Sequence, residues 1–97
     1  MSFELIFSPR AAERYLDLEN NPSKHSVYKQ VTKSLNFLKE NPRHPSLNTH
    51  KHHSSSEQYG IEVFEAYVQH RTPGAYRLFF YYSGKKQITI LTITPHP

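Results

Sequence analysis

The stretch that most constrains this chain is Gly74–Pro97, GAYRLFFYYSGKKQITILTITPHP. Ala75–Tyr82 is almost wholly aromatic and aliphatic, and Gln87–Thr94 alternates Ile, Leu and Thr, residue types suited to a pleated, buried surface. Ser83-Gly84-Lys85-Lys86 separates the two runs, with Gly84 free to take a positive φ, so the stretch predicts a β-hairpin. One residue does not fit. Arg77 is a permanent charge inside a run that otherwise reads as core.

The rest of the chain must supply what covers that hairpin. Phe3, Leu5 and Phe7 alternate with Glu4 in a short first strand, and Ser8-Pro9 is a helix start. That helix is expected to reach about Glu19, with Ala12, Tyr15, Leu16 and Leu18 inward, and Asn20-Asn21-Pro22 stops it. A second helix from Ser23 or Ser26 to Glu40 has Tyr28, Val31, Leu35 and Leu38 at helical spacing, with Lys29, Lys33 and Lys39 outside the stripe. So short a break predicts an antiparallel helical hairpin. Arg43–Gly60 is rich in His and Ser and has no periodicity, so it reads as a loop anchored by Leu47 and Tyr59. Ile61–Gln69 reads as a strand, with Ile61, Val63, Glu65 and Tyr67 on one face and Phe64, Ala66 and Val68 on the other.

The predicted fold is therefore α+β, a single domain over residues 1–97. It has an N-terminal strand, the helical hairpin, and a three-stranded antiparallel meander, with helices packed on one face of the sheet and the other face open or partly open. The chain has 97 residues and only 36% hydrophobic residues, but seven Tyr and six Phe supply large buried areas. The absence of Cys excludes disulfides and thiolate metal sites. No apolar run is long enough to span a bilayer and the first residues lack a signal-peptide layout, so the expected location is cytoplasmic, with no membrane partner. Twelve Lys and Arg against eight Asp and Glu give a net charge of +4, which suits an anionic partner and equally suits simple solubility.

Few residues can carry chemistry. Period-two counting places Arg77 with Phe79 and Tyr81, opposite Leu78 and Phe80. A guanidinium beside flat rings suits a phosphate next to a stacked base; an Arg paired with Glu65 on the neighbouring strand would serve only structure, and both readings stand. His44, His50, His52 and His53 have no pair at the spacing of one helix face, so no metal site is expected, and no cofactor. His50-Lys51-His52-His53 reads as a flexible phosphate-contacting loop or a merely solvated one. His96, beyond the last strand, is an acid/base candidate. Nucleophile elbows, P-loops and dinucleotide fingerprints are absent.

Order and residues together resemble the RelE/ParE superfamily of type II toxin–antitoxin toxins. The resemblance runs through SPRAAERYLDL, NPRHPSL, THKHH, IEVFEAYV, AYRLFFYY and ITILTITPHP, and its most specific piece is Tyr76-Arg77-Leu78 followed by aromatics and ITILTI. It implies a toxin neutralised by a cognate antitoxin. Many relatives cleave mRNA without metal, often ribosome-bound, by attack of a 2′-hydroxyl on the adjacent phosphate; others inhibit DNA gyrase. The resemblance implies Arg77 as transition-state stabiliser and Lys51, beside His50 and His52, as a phosphate contact or proton acceptor. It further implies His96 as acid or base, with His53, Arg71 and Tyr81 as further RNA contacts and a homodimer as a possible assembly. The sequence departs from the pattern at Glu65 and Tyr67, where many relatives place an Arg. It also ends at Pro97, past which active relatives often continue into a tail bearing a further Arg or Lys and a Tyr. A binding module without catalysis is the third expectation.

Overall fold

A computed structural model describes residues 2–96, so the Met1 and Pro97 ends of the expected domain lie outside the described residues. Eight elements follow one another: β1 (Glu4–Phe7), α1 (Pro9–Asn20), α2 (His25–Glu40), β2 (His50–Lys51), α3 (His53–Tyr59), β3 (Phe64–Tyr67), β4 (Tyr76–Gly84) and β5 (Gln87–Pro95). The strands form one mixed sheet in the order β1-β5-β4-β3-β2, with β1 parallel to β5 and every other pair antiparallel. The expected α+β class, first strand, helical hairpin and final meander are all present. The sheet is larger than expected, because β2 adds a fifth strand and α3 follows it.

α1 and α2 cover one face. Val31, Leu35 and Leu38 of α2 meet Leu78, Phe80, Ile88, Ile90 and Ile93 of the hairpin in one buried cluster, which Phe3, Leu5 and Phe7 flank. Tyr15 crosses between the helices, its ring against Tyr28 and its hydroxyl 2.6 Å from Thr32 Oγ1. Burying each such aliphatic side chain contributes about 1.5–3 kcal/mol. The phase of α1 differs from the expectation: Ala11 and Leu18 are buried, whereas Leu16 is 53% exposed. Two turns separate Ala11 from Leu18, so they share a face that Leu16 leaves.

The hairpin turn also differs. Gly84 belongs to β4 and has no positive φ; a Cβ there would lie 3.2 Å from Gln87 Cβ, so the glycine allows a close cross-strand approach. Phe79 pairs with Thr92 while Phe80 pairs with Ile90, which leaves Leu91 as an extra residue, a β-bulge. The bulge resets the alternation, so Ile88, Ile90 and Ile93 all reach the helix-side core. Ser8 pins it. Its hydroxyl donates to the Leu91 carbonyl at 2.7 Å and accepts from Ala11 N–H at 3.0 Å as the α1 cap, while Ser8 N–H donates to the Ile90 carbonyl at 3.0 Å.

The opposite face is open only in part. Residues 43–60 hold one short 3₁₀ turn (Pro45–Leu47), β2 and α3, and beneath them Val63, Glu65 and Phe79 are buried. Polar bonds hold α3. His52 Nδ1 accepts from Ser55 N–H at 3.3 Å and lies 2.8 Å from Ser55 Oγ, Ser56 Oγ accepts from Val63 N–H at 2.8 Å, and Gly60 closes the helix at φ 71°. The His52 ring meets Phe79 edge-on at 4.9 Å between centroids.

Two outcomes follow from these contacts. Ser8→Ala removes the α1 cap and the bulge donor together and is expected to cost about 2 kcal/mol, measured as a lower urea midpoint at constant m; an unchanged midpoint would show that the hydroxyl supports neither. For His52, burial first, then the charges of Arg77, His50 and His53, hold the imidazole below its ordinary value of 6.5. A depressed histidine pKa means that the unfolded chain takes the proton first. Its stability contribution is therefore complete above that value and is lost as pH falls below it. His52→Asn keeps a cap acceptor without titrating, so thermal melts of the variant should show a smaller loss between pH 7 and 5 than the wild type.

Candidate functional site

Arg77 sits in β4 with Tyr67 of β3 directly across from it on one side and Thr94 of β5 on the other. Its side chain is 12% exposed and its guanidinium lies 5.7 Å from the Phe79 ring centroid. Burial pulls its pKa down from the usual arginine value, yet a guanidinium stays charged in proteins. The buried charge is met by Glu65, which is 2% exposed. Arg77 Nη1 contacts Glu65 Oε2 closely, but neither Glu65 Oε2 nor the buried Arg77 Nε has a hydrogen bond of proper geometry among the described residues. The pair is thus an ionic contact rather than an aligned two-pronged one.

Glu65 has a second partner. His50 of β2 lies directly opposite it, and His50 Nε2 is 2.7 Å from Glu65 Oε1. The other ring nitrogen, Nδ1, is 3.0 Å from the backbone carbonyl of Asn48. Arg77, Glu65 and His50 form a row across three strands, and Tyr67 closes its side with its ring edge-on to His50 at 5.6 Å.

At the end of this row the sheet opens into a groove of about 810 Å³, lined among others by Tyr67, His70, Arg71, Arg77 and His96. The connection between β3 and β4 forms its wall. Gln69 Oε1 accepts from Tyr76 N–H at 3.0 Å, His70 Nε2 lies 3.0 Å from the Ser46 carbonyl, and Arg71 and Gly74 take left-handed backbone conformations at φ 56° and 68°. His96 N–H donates to the Ala75 carbonyl at 2.8 Å, which fixes the backbone at the far side of the groove.

Of the residues expected from sequence, the structure brings Arg77, Arg71 and His96 to one groove. His50 reaches it only through Glu65 and Tyr67. Lys51 is exposed, 3.6 Å from Glu62, and does not line the groove. His52 packs on Phe79, His53 is exposed at the start of α3, and Tyr81 lies at a separate recess with Ile61 and Tyr82. Tyr67, noted in the sequence only as a departure from the family pattern, and His70 are groove residues to which sequence reasoning assigned no role; the place of Tyr67 directly across from Arg77 is the signal that pairing strands by register supplies. The described residues contain no cluster of His, Asp or Glu able to hold a metal ion, and no helix among them is long and apolar enough to cross a membrane.

No family model and no curated protein matches the sequence. Among solved structures the chain is similar to the YoeB dimer from Staphylococcus aureus, with 20% sequence identity, a TM-score of 0.65 and all of both chains covered. At that identity the likeness is one of fold: the chain shares the α+β fold of that structure over its full length.

Proposed function

We propose that the chain is the toxin of a type II toxin–antitoxin system and acts as a metal-independent mRNA endoribonuclease. The observation that carries this reading is the convergence of Arg71 and Arg77, at the two ends of one connection, with His96 beyond the last strand on one groove large enough for a nucleotide. Cleavage by a 2′-hydroxyl requires a group to stabilise the extra negative charge of the pentacoordinate phosphate and groups to move two protons. Arg77 supplies a fixed, partly desolvated cation where the phosphate would sit, the setting in which electrostatic stabilisation is strongest. His96, at the groove's far side, protonates the leaving 5′-oxygen while solvent water takes the 2′-hydroxyl proton, and Arg71 holds a flanking phosphate. Lys51 and His53 extend the basic surface beyond the groove. The proposed partners are a cognate antitoxin, RNA including ribosome-bound mRNA, and a second copy of the chain, as in the dimer named for the structural neighbour.

The test is RNA cleavage by purified protein alongside growth arrest on induction in a bacterial host. His96→Gln should lower the cleavage rate by about 10²–10⁴-fold at unchanged melting temperature. Arg77→Lys keeps a charge opposite Glu65 but not the fork and should lower it by about 10²–10³-fold. Chelation with EDTA should leave the rate unchanged. Full activity of Arg77→Lys and His96→Gln would overturn their roles, and intact RNA with blocked gyrase supercoiling would favour a gyrase-directed toxin instead.

A further inference from the structure

The contact between Glu65 and Arg77 has a chemical meaning for the groove. Glu65 offers Arg77 a planar anion with two oxygens, which is the recognition chemistry a phosphodiester would offer. The carboxylate lies almost wholly out of solvent, so its claim on Arg77 is screened little by water. That claim is also geometrically poor, since Arg77 Nε remains buried without a hydrogen bond. A buried unmatched donor favours any rearrangement that supplies an acceptor.

His50 decides whether such a rearrangement can occur. The Asn48 carbonyl beside its Nδ1 can only accept, and Glu65 Oε1 lies beside its Nε2. Satisfying both contacts therefore takes two protons on the ring, or one on the ring and one shared with the carboxylate. In either arrangement Glu65 keeps a compensating partner when Arg77 turns away. Without that partner, exchange would strand a buried charge.

We propose that Glu65 is an internal stand-in for substrate phosphate. In this proposal, which rests on the ribonuclease reading, an RNA phosphodiester enters the groove by displacing Glu65 from Arg77 while His50 retains the carboxylate. Glu65 then sets the threshold of affinity, because each bound phosphate must outcompete a carboxylate already in place. No bond is made or broken in the exchange. His50 is a positioning residue, acting on the substrate through Glu65.

The experiment measures binding rather than cleavage. The probe is a single-stranded RNA hexamer carrying 2′-O-methyl groups throughout, which 2′-hydroxyl attack cannot cleave, titrated calorimetrically into the full chain. Glu65→Gln is expected to bind it about tenfold more tightly than wild type, and His50→Ala several-fold more weakly. In the Glu65→Gln background His50→Ala should have almost no further effect, because the residue through which it acts is gone. Unchanged or weaker binding by folded Glu65→Gln, or an undiminished His50→Ala effect in that background, would overturn the proposal. Should Glu65→Gln not fold, wild-type protein answers the question by NMR: the Arg77 guanidinium resonances must move on hexamer binding while the His50 Nε2–H signal persists. Bound hexamer with stationary Arg77 resonances would overturn it too. Tight hexamer binding by Glu65→Gln in a protein that cleaves no RNA would uphold the exchange and remove only the catalytic reading.

Discussion

A carboxylate buried on a sheet face dictates how the strands around it must lie. Glu65 has His50 opposite it on β2 and Arg77 within reach on β4, so its compensation is spread over the strands on both sides. Removing one partner of a buried ion pair costs about 3–5 kcal/mol. An exposed pair such as Lys51 with Glu62 contributes at most about 1 kcal/mol. Slipping β3 by one residue would turn Glu65 into the layer holding Leu78 and Phe80, where no charge could meet it. Register at this edge of the sheet is fixed by charge as firmly as hydrophobicity fixes it at the other.

The two faces are thus held by different forces. Toward α1 and α2 the hairpin presents Leu78, Phe80, Ile88, Ile90 and Ile93, and packing alone explains the arrangement. Toward β2 and α3 it presents Arg77 and Phe79, which meet a polar scaffold built from His50, His52, Ser55 and Ser56. A rigid packed hairpin bearing loops that carry the reactive groups is the usual division of labour between scaffold and site.

How much of this was legible followed from which force was acting. The hairpin, the first strand and α2 announce themselves because apolar periodicity is a direct record of burial. Leu16 misled because neighbouring apolar residues leave the phase of α1 open by one position, and tertiary packing selected Ala11. α3 was invisible: HSSSEQY has no apolar stripe, and its bonds from Ser56 to Val63 and from His52 to Ser55 depend on a residue beyond the helix and on a histidine serving as cap. Pairing of Arg77 with Glu65 stood among the alternatives from period-two counting, whereas His50 joined it only when β2 appeared as a strand. The meeting of Arg77 with His96 was suggested by resemblance, since regular alternation along β5 would have put His96 on the face of Ile88 and Ile90.

That last point returns to the extra residue at Leu91. Counting by twos from Ile90, Thr92, Thr94 and His96 all belong with the core; one added residue inverts their parity and sends them to the side of Arg77, leaving Ile93 to fill the core in their place. A single inserted position therefore serves the interior and the groove at once. Sequence comparison across β5 thus has a frame: positions 92 and 94 lie on the face of Arg77, and position 96 lies in the groove wall. An insertion or deletion between 88 and 93 would swap interior for groove along the rest of the strand, altering the site without touching one of its residues.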